Sequence, residues 1–298
     1  MALISLFTAV SALQANQQFM DVVANNLANE NTTGFKASRV LFADTLSQTL
    51  SAPSLSGGNG AQIGLGTSAN TITSIFSQGS LQSTGLPTDL AIEGNGFFIV
   101  KDPTSLQTSY TRAGAFSLSP SNVAGIQGYL VTPTGQRVQG AVISSPATSA
   151  NDGDALTDVS IPTQAGGPPA IDVQNYSIDS SGVVNLQMAD GSTIPWMQLS
   201  LQNFSNPEAL QKTGSNLFQA TPPAGLLFPP GGNAGTDVFQ TAGTQGLGTF
   251  TPGYLESSNV DLGQEFSNMI TAQRALEANA RIITTSDEIL QDLINMKH

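Results

Sequence analysis

The sequence has no cysteine. Disulfide cross-links and thiolate-held metals are therefore excluded. Its one histidine, His298, is the last residue, which removes histidine acid–base catalysis and multi-histidine metal sites. Charge is scarce: Asp, Glu, Lys and Arg make up 10% of the chain, against about 25% in ordinary globular proteins. The nine Lys and Arg stand singly, and net charge is −12. Nucleic acid needs clustered cations that displace counterions, so no nucleic-acid partner is expected. No apolar run approaches the roughly eighteen residues of a membrane-spanning helix. No Lys or Arg precedes Lys36, so the basic start of a cleaved signal peptide is missing.

Reaction centres are lacking too. The stretch GGNGAQIGLG (Gly57 to Gly66) has no GK[ST] ending and no strand–GxGxxG–helix setting, and reads as a flexible loop. No GxSxG or SxxK string occurs. Asp152, Asp154 and Asp158 lack the spacing and closing Glu of a calcium loop. Trp196 and the pair Phe97–Phe98 read as core. No catalytic, cofactor or metal residue is assigned, and no enzyme is expected.

What the chain does have is a helical apolar repeat at each end. Leu6, Val10, Leu13, Met20, Ala24 and Leu27 recur at spacings of three, four and seven, with Gln17 interrupting. Phe266, Met269, Leu276, Ala280, Ile283, Leu290 and Ile294 do the same, with Gln273 interrupting. Both are a/d seams of helices that pack on helices. The first helix spans about Leu3 to Asn29, and Asn25 to Gly34 closes it. The last starts near Ser258, which with Asp261 resembles a capping box. Two distant ends with one pattern suggest one structural unit.

Thirty glycines and sixteen prolines point to many turns in between. Residues 37–85 read as an extended polar spacer, with a short strand at Ile72 to Phe76. Residues 86–256 read as a β-rich domain of short strands with hairpin turns at Asp179 to Gly182 and Asp190–Gly191. Residues 143–170 read as a surface excursion, and 219–252 as a Pro/Gly-rich loop. The fold class is α+β, mainly β, with domains at 1–36 plus 257–298, 37–85 and 86–256.

Three strings carry a resemblance. VANNLANENTTGFKASRVLFAD (Val23 to Asp44) resembles the N-terminal signature of the flagellar rod and hook protein family. Within it stand Asn25, Asn26, Leu27, Ala28, Asn29, Thr33, Gly34 and Phe35. FSQGSLQSTGLPTDLAIEGNGFFIV (Phe76 to Val100) resembles the family's central block. The stretch from Gly253 to Leu293 resembles its C-terminal block. The resemblance covers roughly half the chain, in family order.

That resemblance implies a structural subunit of the hook–basal body that polymerises into a helical tube. Its terminal helices would pair as an antiparallel coiled coil in an inner layer, with the β-rich middle outside. Implied partners are further copies, other rod, hook or junction proteins, and the flagellar export apparatus, which would pass the chain without cleaving a signal. Rod and hook stay open: GAQIGLG looks rod-like, FADTL (Phe42 to Leu46) and RVQGAV (Arg137 to Val142) hook-like. A secreted β-structured adhesin or surface-layer protein is the alternative, and a hydrolase using paired carboxylates a third.

Counting outward from the inner ends of an antiparallel pair sets Gln17 level with Gln273, Leu13 with Leu276 and Leu6 with Ile283. The two glutamines are expected to hydrogen-bond and fix register. Phe7, Phe19, Ile270, Ile282, Ile289 and Leu293 fall off the seam. Leu290, Leu293 and Ile294 overhang it. All are expected to face other copies.

Overall fold

The structure, a computed structural model, describes every residue except 1, 52–60, 122, 124, 144–155, 166–170, 228–239, 245 and 297–298. The side chains at 2–4, 50–51, 61 and 293 also lie outside the described residues. The protein is mainly β with two long helices and divides into two compact units. A helical unit comprises Met1–Glu30, Lys36–Ile75 and Val260–His298; a sheet unit comprises Asn31–Phe35 and Phe76–Asn259.

In the helical unit, α1 (Ala2–Ala28) contains neither Gly nor Pro. Asparagine closes it: Asn29 donates its N–H to the carbonyls of Asn25 and Asn26, and its Nδ2 to Asn25 O at 2.9 Å. The side chain thus covers a carbonyl that the helix leaves without a partner. Helix α2 (Leu262–Asn295) has 34 residues, about 51 Å at 1.5 Å per residue. Asp261 is its N-cap, accepting the Gln264 N–H at 3.1 Å. The expected start near Ser258 is corrected: Asp261 is still extended, and its carboxylate is the group that meets the first free amides.

Residues 37–85 are not a plain spacer. They contain β1 (Ser38–Asp44), β2 (Ser47–Ser51), β3 (Ala61–Gly64) and β4 (Thr67–Ser74). β1 pairs antiparallel with β4, and β2 with β3. Between these pairs, Thr45 donates to Gly66 O at 3.0 Å and Leu65 to Leu46 O at 2.8 Å. The four strands therefore form one two-stranded ribbon. Such a ribbon has no core of its own, so its sequence shows no strong apolar alternation and read as a loop. It packs on α1. Phe42 meets Phe19 edge-on at 5.8 Å between ring centroids, and a Cβ at Gly66 would collide with Ser11 Oγ.

The sheet unit is a network of antiparallel strands. Its main path runs, neighbour to neighbour, through Gln164–Ala165, Ile171–Ile178, Val183–Met188, Thr193–Leu199, Arg137–Val142, Phe97–Lys101, Thr108–Thr111, Leu217–Gln219 and Gln211–Gly214. Two smaller ladders join its first and last segments: Leu90–Glu93 with Thr249–Pro252, and Leu81–Ser83 with Tyr254–Glu256. The strand Phe97–Lys101 separates two apolar clusters. Phe98 and Val100 enter one with Leu90, Leu186, Leu199 and Phe250; Phe97 and Ile99 enter the other with Tyr110, Phe204 and Phe218. Alternation of side chains along a strand buried on both faces produces this division.

Both expected hairpin turns are present. Asp179 Oδ1 accepts from the N–H groups of Ser181 and Val183, and Asp190 Oδ1 from that of Ser192. Half-buried Trp196 packs beside the first cluster and donates Nε1–H to Ser160 O at 3.0 Å. Two loop expectations are corrected. Within 143–170 stand the strands Thr157–Asp158, Ser160–Pro162 and Gln164–Ala165; Ile161 and Ala165 on them, and Val159 between the first two, enter the core; residues 144–155 and 166–170 lie outside the described residues. Within 219–252, Phe250 is 1% exposed and stacks on Phe98 at 5.7 Å. Each is a short apolar core segment flanked by polar or Gly/Pro-rich sequence.

Candidate assembly surface

The helices α1 and α2 pack side by side. Asn26 meets Glu265, while Ser5 and Ala12 line one groove together with Asn279 and Ile289. Rising numbers on α1 therefore face falling numbers on α2, and the pair is antiparallel. The residues that these helices bury are small or polar: Ala9, Ala15, Val23 and Asn26 on α1, Ala272 and Ser286 on α2.

The expected seam lies about one residue round from this face. Val10, Gln17 and Ala24 are exposed, as are Phe266, Gln273, Ala280 and Ile294. Leu6, Leu13, Met20 and Leu27, with Met269, Leu276, Ile283 and Leu290, are half-buried along its flank. Nine residues out from the Asn26–Glu265 contact, Gln17 stands level with Arg274. Gln17 and Gln273 both point to solvent, and among the described residues no hydrogen bond joins them; the proposed glutamine pair is corrected. One residue is 100° of helix rotation. Small side chains let the helices approach on a face where apolar periodicity is weak, and α1 must also seat the ribbon.

Asn26 is the polar centre of this unit. It is 1% exposed. Its Oδ1 accepts the Ser38 N–H at 2.9 Å, and its Nδ2 donates to Ser38 O at 2.8 Å and to Glu265 Oε1 at 3.0 Å. The side-chain amide thus pairs with the N–H and C=O of one residue of β1 and reaches the first turn of α2. Glu265 there also suits the positive end of the helix dipole. Of the neighbouring motif residues, Asn25 and Ala28 are exposed, and Leu27 and Asn29 half-buried.

Large apolar side chains remain uncovered on both helices. Phe7 is 71% exposed, and Ile270, Ile282, Ile289 and Met296 are exposed as well. Phe19, expected on a free face, lies against Phe42. Counting from the Asn26–Glu265 contact, α2 outruns α1 beyond Ile289, which leaves Leu290 and Ile294 on the overhang; the Leu293 side chain lies outside the described residues. The groove between α1, β3 and α2 has a volume of about 680 Å³.

The rest of the motif belongs to the sheet unit. Gly34 (φ +67°) donates its N–H to Glu256 O at 2.8 Å, and a Cβ there would stand 2.5 Å from Ala113 N. Thr33 O accepts from Asn216 Nδ2 at 2.9 Å. Phe35 is buried, with Lys212 Nζ 4.9 Å from its ring centroid. Burial lowers the Lys212 pKa. Glu256 accepts the Gly79 N–H at 2.9 Å and faces Arg112 at 3.6 Å. Arg112 donates to Gly94 O at 2.7 Å. Its pKa is lowered by burial, and the charge of Glu256 opposes that shift. Neither Arg112 nor Glu256 stood out in the sequence; their signal, a lone charge inside a strand pattern, is weak without its partner.

Sequence comparison connects these helices and motifs to known proteins. The flagellar basal-body rod protein FlgG of Bacillus subtilis (strain 168) is 40% identical over 299 residues, spanning 98% of both chains. This chain belongs to the flagellar rod and hook protein family. Residues 6–36 match the flagella basal body rod protein family, 91–186 the flagellar hook protein FlgE/F/G D1 domain, and 251–296 the flagellar basal body rod FlgEFG protein C-terminal family. The FlgG of Caulobacter vibrioides is 36% identical, with 96% of this rod/hook protein and 97% of that chain covered. The hook protein FlgE of Borreliella burgdorferi is 27% identical over a 452-residue alignment covering 99% of each. The rod/hook protein is thus a structural subunit of the flagellum, not an enzyme, and associates with itself and with other rod and hook proteins. The adhesin alternative finds no support in these matches.

Proposed function

We propose that this chain is a distal-rod subunit whose terminal helices build the inner wall of a tube. The large apolar side chains left exposed on α1 and α2 are the observation that carries the reading. A helix pair with a small, polar seam and an apolar outer face is complete only among neighbours. In the tube, the stripe Leu6, Val10, Leu13, Met20 and Leu27 and the stripe Phe266, Met269, Leu276, Ile283, Leu290 and Ile294 meet neighbouring copies as coiled-coil contacts. The sheet unit forms the outer layer. Rod is favoured over hook because rod relatives align end to end at matched length, whereas the hook relative aligns only with long gaps. Export without signal cleavage through the flagellar secretion apparatus follows from membership of such an axis. Deleting residues 2–30 tests the reading by electron microscopy of the purified protein and by assay of its secretion. The wild type forms filaments and the deletion variant neither assembles nor leaves the cell; filaments or secretion without α1 would end the proposal.

A further inference from the structure

The groove beside α1 has a floor of small residues, Ala9, Ala12 and Gly64, and a rim of Ile63, Ile282 and Ile289. No charged side chain lines it. Left open, its 680 Å³ would hold roughly twenty waters against a mostly apolar wall. The same stretch of α1 carries an unseated aromatic. Phe7 is 71% exposed and Val10 42%. At 100° per residue, Phe7 lies roughly 140–160° round the helix from Ala9 and Ala12. A hole and a knob thus occupy opposite sides of one helical segment.

We infer that the groove is the seat for Phe7, with Val10 beside it, of a second copy of this chain. This inference rests on the self-assembly proposed above and names the contact. A hole on one side and a knob on the other make a heterologous contact. It repeats from copy to copy without using up either surface, as a tube wall requires. The knob is aromatic and uncharged, matching a groove with no charge to satisfy. No other large apolar residue described on α1 is as exposed as Phe7.

The cysteine-free chain allows a clean test. Phe7→Cys and Ile282→Cys are made in separate full-length chains, mixed, assembled and oxidised. A disulfide-linked dimer containing one of each variant is expected, and neither variant alone should give one. In the double variant the dimer should extend to a ladder. Filaments that form without the mixed dimer overturn the inference and leave the assembly reading intact. A wild-type protein that forms no filaments overturns both. In a second measurement, Phe7→Ala is expected to raise the critical concentration for filament growth about 10- to 50-fold, from the loss of one buried aromatic. Its helix signal should match the wild type. An unchanged critical concentration would also overturn the inference.

Discussion

Replacing Asn26 by alanine should loosen the helical unit and leave the sheet unit standing. The change removes three hydrogen bonds at 2.8–3.0 Å. It takes the Asn26 partner away from one oxygen of Glu265 and from the N–H and C=O of Ser38. A buried group without its partner costs about 1–3 kcal/mol. Ser38 is half-buried, so water recovers part of that loss. The net cost is about 2–4 kcal/mol. Asn26→Asp separates the causes. It keeps the acceptor for the Ser38 N–H but turns the donor into an oxygen facing Ser38 O and the Glu265 carboxylate. At neutral pH it should be less stable than Asn26→Ala. Two probes read the two units in one urea titration. Ellipticity at about 222 nm reports α1 and α2, the long helices among the described residues. Fluorescence reports Trp196, the one tryptophan, in the sheet unit. The helical transition should move to lower urea while that of Trp196 stays in place. An Asn26→Ala variant within about 0.5 kcal/mol of wild type, the ordinary range of a surface change, would refute the reasoning. So would an Asn26→Asp variant more stable than Asn26→Ala at pH 7.

Gly34→Ala should lower the urea midpoint of the Trp196 transition by the equivalent of about 2 kcal/mol or more, because a side chain at φ +67° meets the Ala113 backbone. Glu256→Gln should cost the sheet unit about 3–5 kcal/mol by leaving Arg112 buried without its counter-charge. Replacing both residues by methionine should restore part of that loss in the same denaturation assay. The Asp190 carboxyl, lowered by hydrogen bonds from the Ser192 side chain and backbone, should titrate below the ordinary aspartate value in a carbon-13 NMR experiment. As pH falls, the unfolded chain binds this proton before the folded one does. The turn's contribution is therefore present above the unfolded value and lost as pH falls through the folded one. Asp190→Asn should remove that part of the acid sensitivity.

The elements most legible in the sequence were those whose signal is local. Asparagine at the end of α1, Asp179 and Asp190 in their turns, and the run Phe97 to Val100 each act through neighbours a few residues away. The helix face was not legible. Alanine, serine and asparagine at Ala9, Ala272, Ser286 and Asn26 contribute little to an apolar repeat, so the pattern of larger residues pointed about 100° away. The ribbon was missed because it has no core of its own: Leu41, Leu46 and Ile72 stay exposed, and Phe42 meets Phe19 of α1, a partner remote from its own strand. Arg112 and Glu256 are each unremarkable until the fold sets them face to face.

The seam between α1 and α2 also bears on timing. Asn26 and Glu265 are 239 positions apart, so a chain that emerges N-terminus first carries α1 through nearly its whole length before α2 arrives. Closing so long a loop is slow, and alanine and asparagine offer little to hold it early. The sheet unit, drawn almost wholly from one continuous stretch, can settle before the last helix appears. The first segment made can therefore seat its ribbon early, while its partner helix is the last element of the chain to arrive.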